Sequence, residues 1–204
     1  MALSAHQKIA FTPAELQFLA ENEPITIVPT RHIEKLELIS GSYGPFNPPR
    51  KAQVPLWLAA MLKSSSYCRI VPPSWMDSEN LEKICNSEEQ PESRFSNLPP
   101  YYIIVASILF ECAEDDIPEA QSIRRLLQDV GEIRQGKVRE GLKYLNPAQL
   151  QMDNLSMAEI NQIRPLFKGA FNMLSSLADL KRQAPFEADE SQYSQMNTNS
   201  SLMH

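Results

Sequence analysis

Proline divides this chain in two. Twelve of its 16 prolines fall within residues 1–100, and four follow. Proline has no backbone N–H and its ring clashes with the preceding helical turn, so it breaks helix interiors. The first half is therefore expected to hold short elements joined by turns. The second half is free to form long helices. There is no strong internal repeat.

Local signals fill in this division. Thr12-Pro13-Ala14-Glu15 reads as a helix start, with a capping hydroxyl, a proline at the first helical position and a glutamate to close the capping box. That helix is expected to end near Asn22. Pro24–Val28 and Lys35–Ile39 are strand-like. A loop is expected from Ser40 to Gln53, because Gly41, Gly44 and three prolines lie in it. Val54–Lys63 reads as a helix with Pro55 in its first turn, and Tyr67–Val71 as a strand stopped by Pro72-Pro73. Asp77 or Ser78 caps a helix running to about Glu88, followed by a polar loop over Gln90–Asn97. Pro99–Ala113 is apolar nearly all round and should be buried; periodicity leaves strand and helix both open.

Glu119–Tyr144 reads as a long helix whose apolar stripe includes Ile123, Leu126, Leu127, Val130, Ile133 and Val138. Asn154 or Ser156 starts a last helix, with Glu159 three residues after Ser156. Pro165 is expected to end or kink it before a helix resumes from Leu166 to about Arg182. Residues 184–204 are polar and are expected to be a disordered tail. The fold class expected is mainly α, with a small β-rich N-terminal domain (residues 1–62) and a C-terminal helical bundle domain (residues 63–183).

Charge and cysteine limit the function classes. The net charge is −6 over 204 residues. A chain this acidic is a poor stand-alone ligand for phosphate backbones, although it can work inside a DNA machine whose other subunits touch DNA. Hydrophobic residues make up 43% of the chain, enough for a core. Cys68, Cys85 and Cys112 form no C-x-x-C pair, which points to a reducing compartment rather than to disulfides or structural zinc. The first residues lack the apolar run of a signal peptide. The longest apolar run, Tyr101–Phe110, is about half the roughly 20 residues that span a bilayer. A soluble intracellular protein with no membrane contact is expected.

A search for chemistry finds little. His6, His32 and His204 are scattered, and no Ser, Cys or Lys nucleophile has an evident base. Cys85 and Cys112 read as small hydrophobes. Glu114-Asp115-Asp116 suggests the metal cluster of a metal-dependent hydrolase, but the stronger reading is a solvated turn, since acids suit the start of the helix beginning near Pro118. Gly131, Gly136 and Gly141 lack the G-K-[ST] of a phosphate loop; three readings stay open for them, namely partners packed on the helix, one glycine permitting a close crossing, and plain surface tolerance. Arg124, Arg125, Arg134, Lys137, Arg139 and Lys143 interleave with Asp129, Glu132 and Glu140, as on a solvated helix face. Two functional alternatives attach to that face: contact with an acidic partner, and single-strand binding with help from Tyr101 or Tyr102. No catalytic, cofactor or metal site is expected, and no small-molecule ligand. The N-terminal piece of roughly 60 residues is small for a core of its own. It should lean on the helical part or on another chain, so an interaction protein is expected.

Several stretches carry a family resemblance. They are Phe18-Leu-Ala-Glu-Asn-Glu-Pro-Ile-Thr-Ile-Val-Pro29, Gly44-Pro-Phe-Asn-Pro48 with Val54-Pro-Leu-Trp-Leu-Ala59, Cys68-Arg-Ile-Val-Pro-Pro-Ser-Trp-Met76 and Met152-Asp-Asn-Leu-Ser-Met-Ala-Glu-Ile-Asn161. Glu132-Ile-Arg-Gln135 and Gly141-Leu-Lys-Tyr-Leu-Asn146 are similar to fungal members. In order and spacing these resemble the second Partner-of-Sld-five subunit family of the eukaryotic GINS complex, over about residues 11–183. The resemblance implies a small β-rich domain followed by a helical one, in a nuclear heterotetramer with three sister subunits. It implies association with the Mcm helicase ring and the Cdc-forty-five protein in the replicative helicase, with the replicative polymerase as a further neighbour and only indirect DNA contact. ATP hydrolysis belongs to the ring, so a non-catalytic scaffold is expected. Ile123, Leu127, Val130, Ile133, Tyr144, Leu166, Phe171 and Leu174 are the expected partner-interface residues. Trp57 and Phe46 are expected between the two domains, with a wedge preferred over a partner anchor as the role of Trp57.

Overall fold

The strands and helices follow from the local signals above, with three informative departures. The structure is a computed structural model and describes residues 11–90, 94–141 and 153–183. Its elements are α1 (Pro13–Ala20), β1 (Pro24–Pro29), β2 (Leu36–Leu38), β3 (Gly41–Tyr43), β4 (Ala52–Pro55), α2 (Leu56–Ser64), β5 (Cys68–Val71), α3 (Ser78–Glu88), α4 (Tyr102–Cys112), a 3₁₀ turn (Glu114–Asp116), α5 (Ala120–Gly141) and α6 (Met157–Gln183). The chain is mainly helical with a small β-rich N-terminal part, as the sequence predicts.

α1 begins as expected. The Thr12 hydroxyl accepts the Glu15 N–H at 3.3 Å, and the Glu15 carboxylate accepts the Thr12 N–H at 2.7 Å. Strands β4, β1 and β5 form an antiparallel sheet in that order. Ile25 pairs with Val54, and Ile27 with Ile70. All four of these residues are buried, because alternate strand positions share a face. β2 and β3 form a separate hairpin that pairs Leu38 with Gly41.

The first departure is the loop expected over residues 40–53, which holds β3 and part of β4. Gly41, with φ +143, supplies the turn between β2 and β3 rather than breaking structure. The second is Pro55, which closes β4 and stands at the N-cap of α2 rather than inside its first turn. Val54 is taken by its pairing with Ile25, and a strand end tolerates a residue with no donor. The third is Pro165, which lies inside α6 and does not end it. Pro99–Ala113, left open above, is helical from Tyr102 onwards.

Residues up to Phe167 form one compact unit and those from Lys168 a second. Within the first, one apolar core runs through both the sheet and the helices. It joins Ile27, Val54 and Ile70 to Leu56, Leu58 and Ala59 of α2, to Leu81 of α3, to Ala106 and Leu109 of α4 and to Ile123 of α5. The N-terminal piece thus leans on the helical part. β5 draws residues 68–71 into its sheet. Of the second unit, the structure describes the C-terminal turns of α6 to Gln183; the polar tail expected over 184–204 lies outside the described residues.

Candidate functional site

The helices around α5 converge on one side chain. Arg134 occupies a core position of the stripe that runs through Ile123, Leu127, Val130 and Val138, and it is 0% exposed. A guanidinium has five N–H donors and cannot lose its charge inside a protein. All five have acceptors. Nε donates to Glu159 Oε1 at 2.8 Å; one terminal nitrogen donates to Glu88 Oε1 at 2.8 Å and the Ser96 carbonyl at 3.3 Å; the other donates to the Asn154 carbonyl at 2.6 Å and Glu159 Oε2 at 3.1 Å. The Phe95 ring lies 5.0 Å from the guanidinium carbon.

The carboxylates are satisfied in turn. Glu88, on α3, accepts from Lys137 Nζ at 2.7 Å and the Ser96 N–H at 2.7 Å. Glu159, at the start of α6, accepts from the Tyr102 hydroxyl at 3.2 Å and the Ser156 N–H at 2.7 Å. Ser156 and Glu159 form the capping box of α6, as the spacing predicts. Two cations thus face two carboxylates in a largely buried site shared by α3, α4, α5, α6 and the residues around Ser96. Burial alone raises the carboxyl groups. For Glu88 it is outweighed by Lys137, the Ser96 N–H and Arg134, and for Glu159 by Arg134 and Ser156, so both are held below the ordinary range. Burial and the nearby Glu159 charge push the Tyr102 phenol well up, so it stays a neutral donor.

This network corrects the reading of α5 as a solvated basic face. Arg134 and Lys137 point inward, Arg124 pairs with Glu114 at 3.4 Å and stacks 4.7 Å from the Phe110 ring, and Tyr102 is fully buried. Arg125 and Arg139 stay exposed; Lys143 lies outside the described residues. The sequence did carry a signal: position 134 falls four residues after Val130 and four before Val138, on the buried stripe.

The acidic turn has a structural occupation. Lys63 Nζ lies 2.8 Å from both Asp115 and Asp116, and Asp116 also accepts the Ile70 N–H at 2.8 Å. The 3₁₀ turn is thereby fastened to α2 and to the edge of β5. No group of three metal-ligating side chains occurs among the described residues. Nor is any of their helices long and apolar enough to cross a membrane. A Cβ added at Gly131, Gly136 or Gly141 would meet nothing within 4 Å, so these glycines serve no close crossing among the described residues.

The expected interface residues separate. Ile123 and Val130 are 2% and 0% exposed, so their surfaces are used inside the chain. Leu127 and Ile133 are half-buried, as are Phe171 and Leu174. Leu166 is exposed, together with Met173 and Leu177, which the sequence reading did not single out. Tyr144 lies outside the described residues. Phe46 is buried beneath the β-rich part, and the half-buried Trp57 meets Tyr43 of β3 edge-on, with ring centroids 6.2 Å apart.

Comparison with known proteins gives this arrangement a family. Residues 12–71 match the PSF2 N-terminal domain, and residues 75–178 match the GINS complex protein helical bundle domain. The chain belongs to the PSF2 family of GINS proteins. A relative from Schizosaccharomyces pombe named DNA replication complex GINS protein psf2 is 42% identical over 183 residues, covering 90% of this chain and 100% of the relative. The protein of the same name from Saccharomyces cerevisiae is 37% identical over 211 residues, covering 95% of this chain and 99% of its own length. That from Homo sapiens is 39% identical over 183 residues, covering 88% and 97%. In this PSF2-family chain the two matched stretches meet at Pro72–Ser74, just beyond β5, although the hydrophobic core runs across that point.

Proposed function

We propose that this chain is a non-catalytic scaffold subunit of a GINS heterotetramer with three sister subunits. The assembly works in the nucleus, within the replicative helicase that it forms with the Mcm ring and the Cdc-forty-five protein, beside the replicative polymerase. The relatives are named as proteins of the DNA replication complex GINS. ATP hydrolysis is left to the ring, and DNA contact is indirect, in keeping with a net charge of −6.

One geometric observation carries the assembly role. Leu166, Met173 and Leu177 of α6 are 55%, 73% and 57% exposed. At the helical period Met173 and Leu177 share one side of α6. Large apolar side chains grouped in this way favour cover, at about 25 cal/mol for each Å² removed from water. Sister subunits supply that cover, and Phe171, Leu174, Leu127 and Ile133 add their remaining surface to partner contacts.

The test is the native mass of the particle recovered through a tag on this chain, with its partners identified. Four small chains are expected. Leu166→Asp with Met173→Asp is expected to reduce recovery of the sister subunits at least about tenfold, an interface loss of about 1.4 kcal/mol or more. A lone chain, or undiminished recovery by the double variant, would overturn the reading.

A further inference from the structure

The β-rich part carries a cationic corner that no continuous stretch of sequence displays. Two loops build it. One follows β1 and holds Arg31, His32 and Lys35. The other precedes β4 and holds Arg50 and Lys51. An antiparallel bridge joins them: the Ile33 N–H donates to the Phe46 carbonyl at 3.0 Å, and the Phe46 N–H donates to the Ile33 carbonyl at 2.9 Å. His32 Nδ1 lies 2.6 Å from Asn47 Oδ1, and the Arg50 N–H donates to the Asn47 carbonyl at 2.8 Å. Phe46, 4% exposed, anchors the junction from below. Gly44 lets the second loop turn: its φ is +92, and a Cβ there would meet the Phe46 ring and backbone at 3.3 Å.

All five side chains are exposed. Lys35 pairs with Glu37 at 3.2 Å, and Arg31 lies 5.9 Å from the centre of the Tyr67 ring. Among the described residues, Arg31, Arg50 and Lys51 have no carboxylate partner. The carboxylates of residues 30–51 are Glu34 and Glu37 alone. A local excess of positive charge therefore sits on a chain whose net charge is −6.

We propose that this corner docks an acidic segment of another protein, a short extended run of Glu and Asp side chains. Arginine forks match carboxylates in geometry. The two loops are already joined, so little ordering opposes docking. A protein segment is favoured over nucleic acid on two grounds. A long polyphosphate feels the chain's overall negative charge, whereas a short acidic segment feels mainly the field within about 8 Å, the screening length at physiological salt. Arg31 lies 5.9 Å from the centre of the exposed Tyr67 ring, so a stacking base would have to compete with the guanidinium for that ring. The corner lies on the loops of the β-rich part, not on α6, and the inference does not rest on the scaffold reading.

The experiment uses the full chain and a fluorescein-labelled poly-glutamate peptide, read by anisotropy across a salt series. Binding is expected to weaken as salt rises. Arg31→Glu with Arg50→Glu and Lys51→Glu is expected to lower affinity at least about tenfold at low salt. Arg125→Glu with Arg139→Glu, reversing exposed cations of α5, is expected to leave it unchanged. All these positions are exposed, so melting should not move. No peptide binding, equal loss in both variants, or tighter binding of a single-stranded oligonucleotide of equal charge would overturn the proposal.

Discussion

Two charge clusters hold this molecule together, and they differ in how much water reaches them. Arg134, Glu88 and Glu159 have almost no exposed side-chain surface, whereas the Lys63 staple runs from Asp116 at 5% to Asp115 at 74%. In the first cluster Arg134, Glu88 and Glu159 have lost nearly all their hydration, so each must find its partners inside the protein. In the second, water can stand in for a partner only on the Asp115 side, since the Asp116 carboxylate is itself buried. Equal-looking ion pairs therefore carry unequal consequences. Breaking a buried pair leaves an uncompensated charge, while an exposed pair contributes little.

The largest expected effect is that of Arg134→Met. It leaves Glu88 with Lys137 and the Ser96 N–H, and Glu159 with Tyr102 and Ser156. A loss of about 3–5 kcal/mol is expected from denaturant melting. A loss below 1 kcal/mol would show that the buried cluster behaves like a surface one.

Acid sharpens the same comparison. Both carboxyls are held below their ordinary values when folded. Their contribution is therefore complete above the unfolded-state pKa of about 4.3 and falls away as pH drops through the folded values. Wild-type stability should decline below about pH 4.5 for this reason. In Arg134→Met the decline should be blunted, because Glu159 loses its main cationic partner while Glu88 keeps Lys137 and the Ser96 N–H, so the pair gains less from staying ionised. Parallel pH–stability curves would contradict the network.

A smaller effect is expected from Lys63→Met, about 1–2 kcal/mol, because Asp116 keeps the Ile70 N–H and a distant Arg69. Burial lowers the Lys63 ammonium, but Asp115 and Asp116 outweigh it and raise the folded pKa. Its contribution is complete below the unfolded value and is lost as pH rises through the folded one. The smallest effect is that of Asp115→Asn, for which an unchanged melting midpoint is expected. A shift as large as that of Lys63→Met would mean that exposure does not set the difference between the clusters.

Much of the fold was legible because it rests on local chemistry. The capping boxes at Thr12 and Ser156, the apolar stripe of α5 and the strand alternation of Ile25 and Ile27 are each properties of a few neighbouring residues. The departures arose where a long-range partner overrode a local preference, as when Val54 joined Ile25 and carried Pro55 to a strand end. The site was less legible. Along α5, Arg134 and Lys137 look like Arg125 and Arg139, since a side chain's type does not state whether its helix face meets water. Only its place on the apolar stripe distinguished Arg134.

The sequence by itself therefore determined the division into a proline-broken, β-containing first part and a helical second part, and its ordered motifs pointed to the family. Those follow from backbone sterics and hydrophobic periodicity, which act over a few residues. Tertiary structure alone decided which charges are buried and which are left bare. It turned the apparent basic face of α5 into an internal lock, fastened the acidic turn to Lys63, and gathered Arg31, Arg50 and Lys51 onto one corner. Burial and electrostatic pairing depend on residues far apart in the chain, here 25 positions between Arg134 and Glu159 and 46 between Arg134 and Glu88, and the folded packing alone brings such groups together.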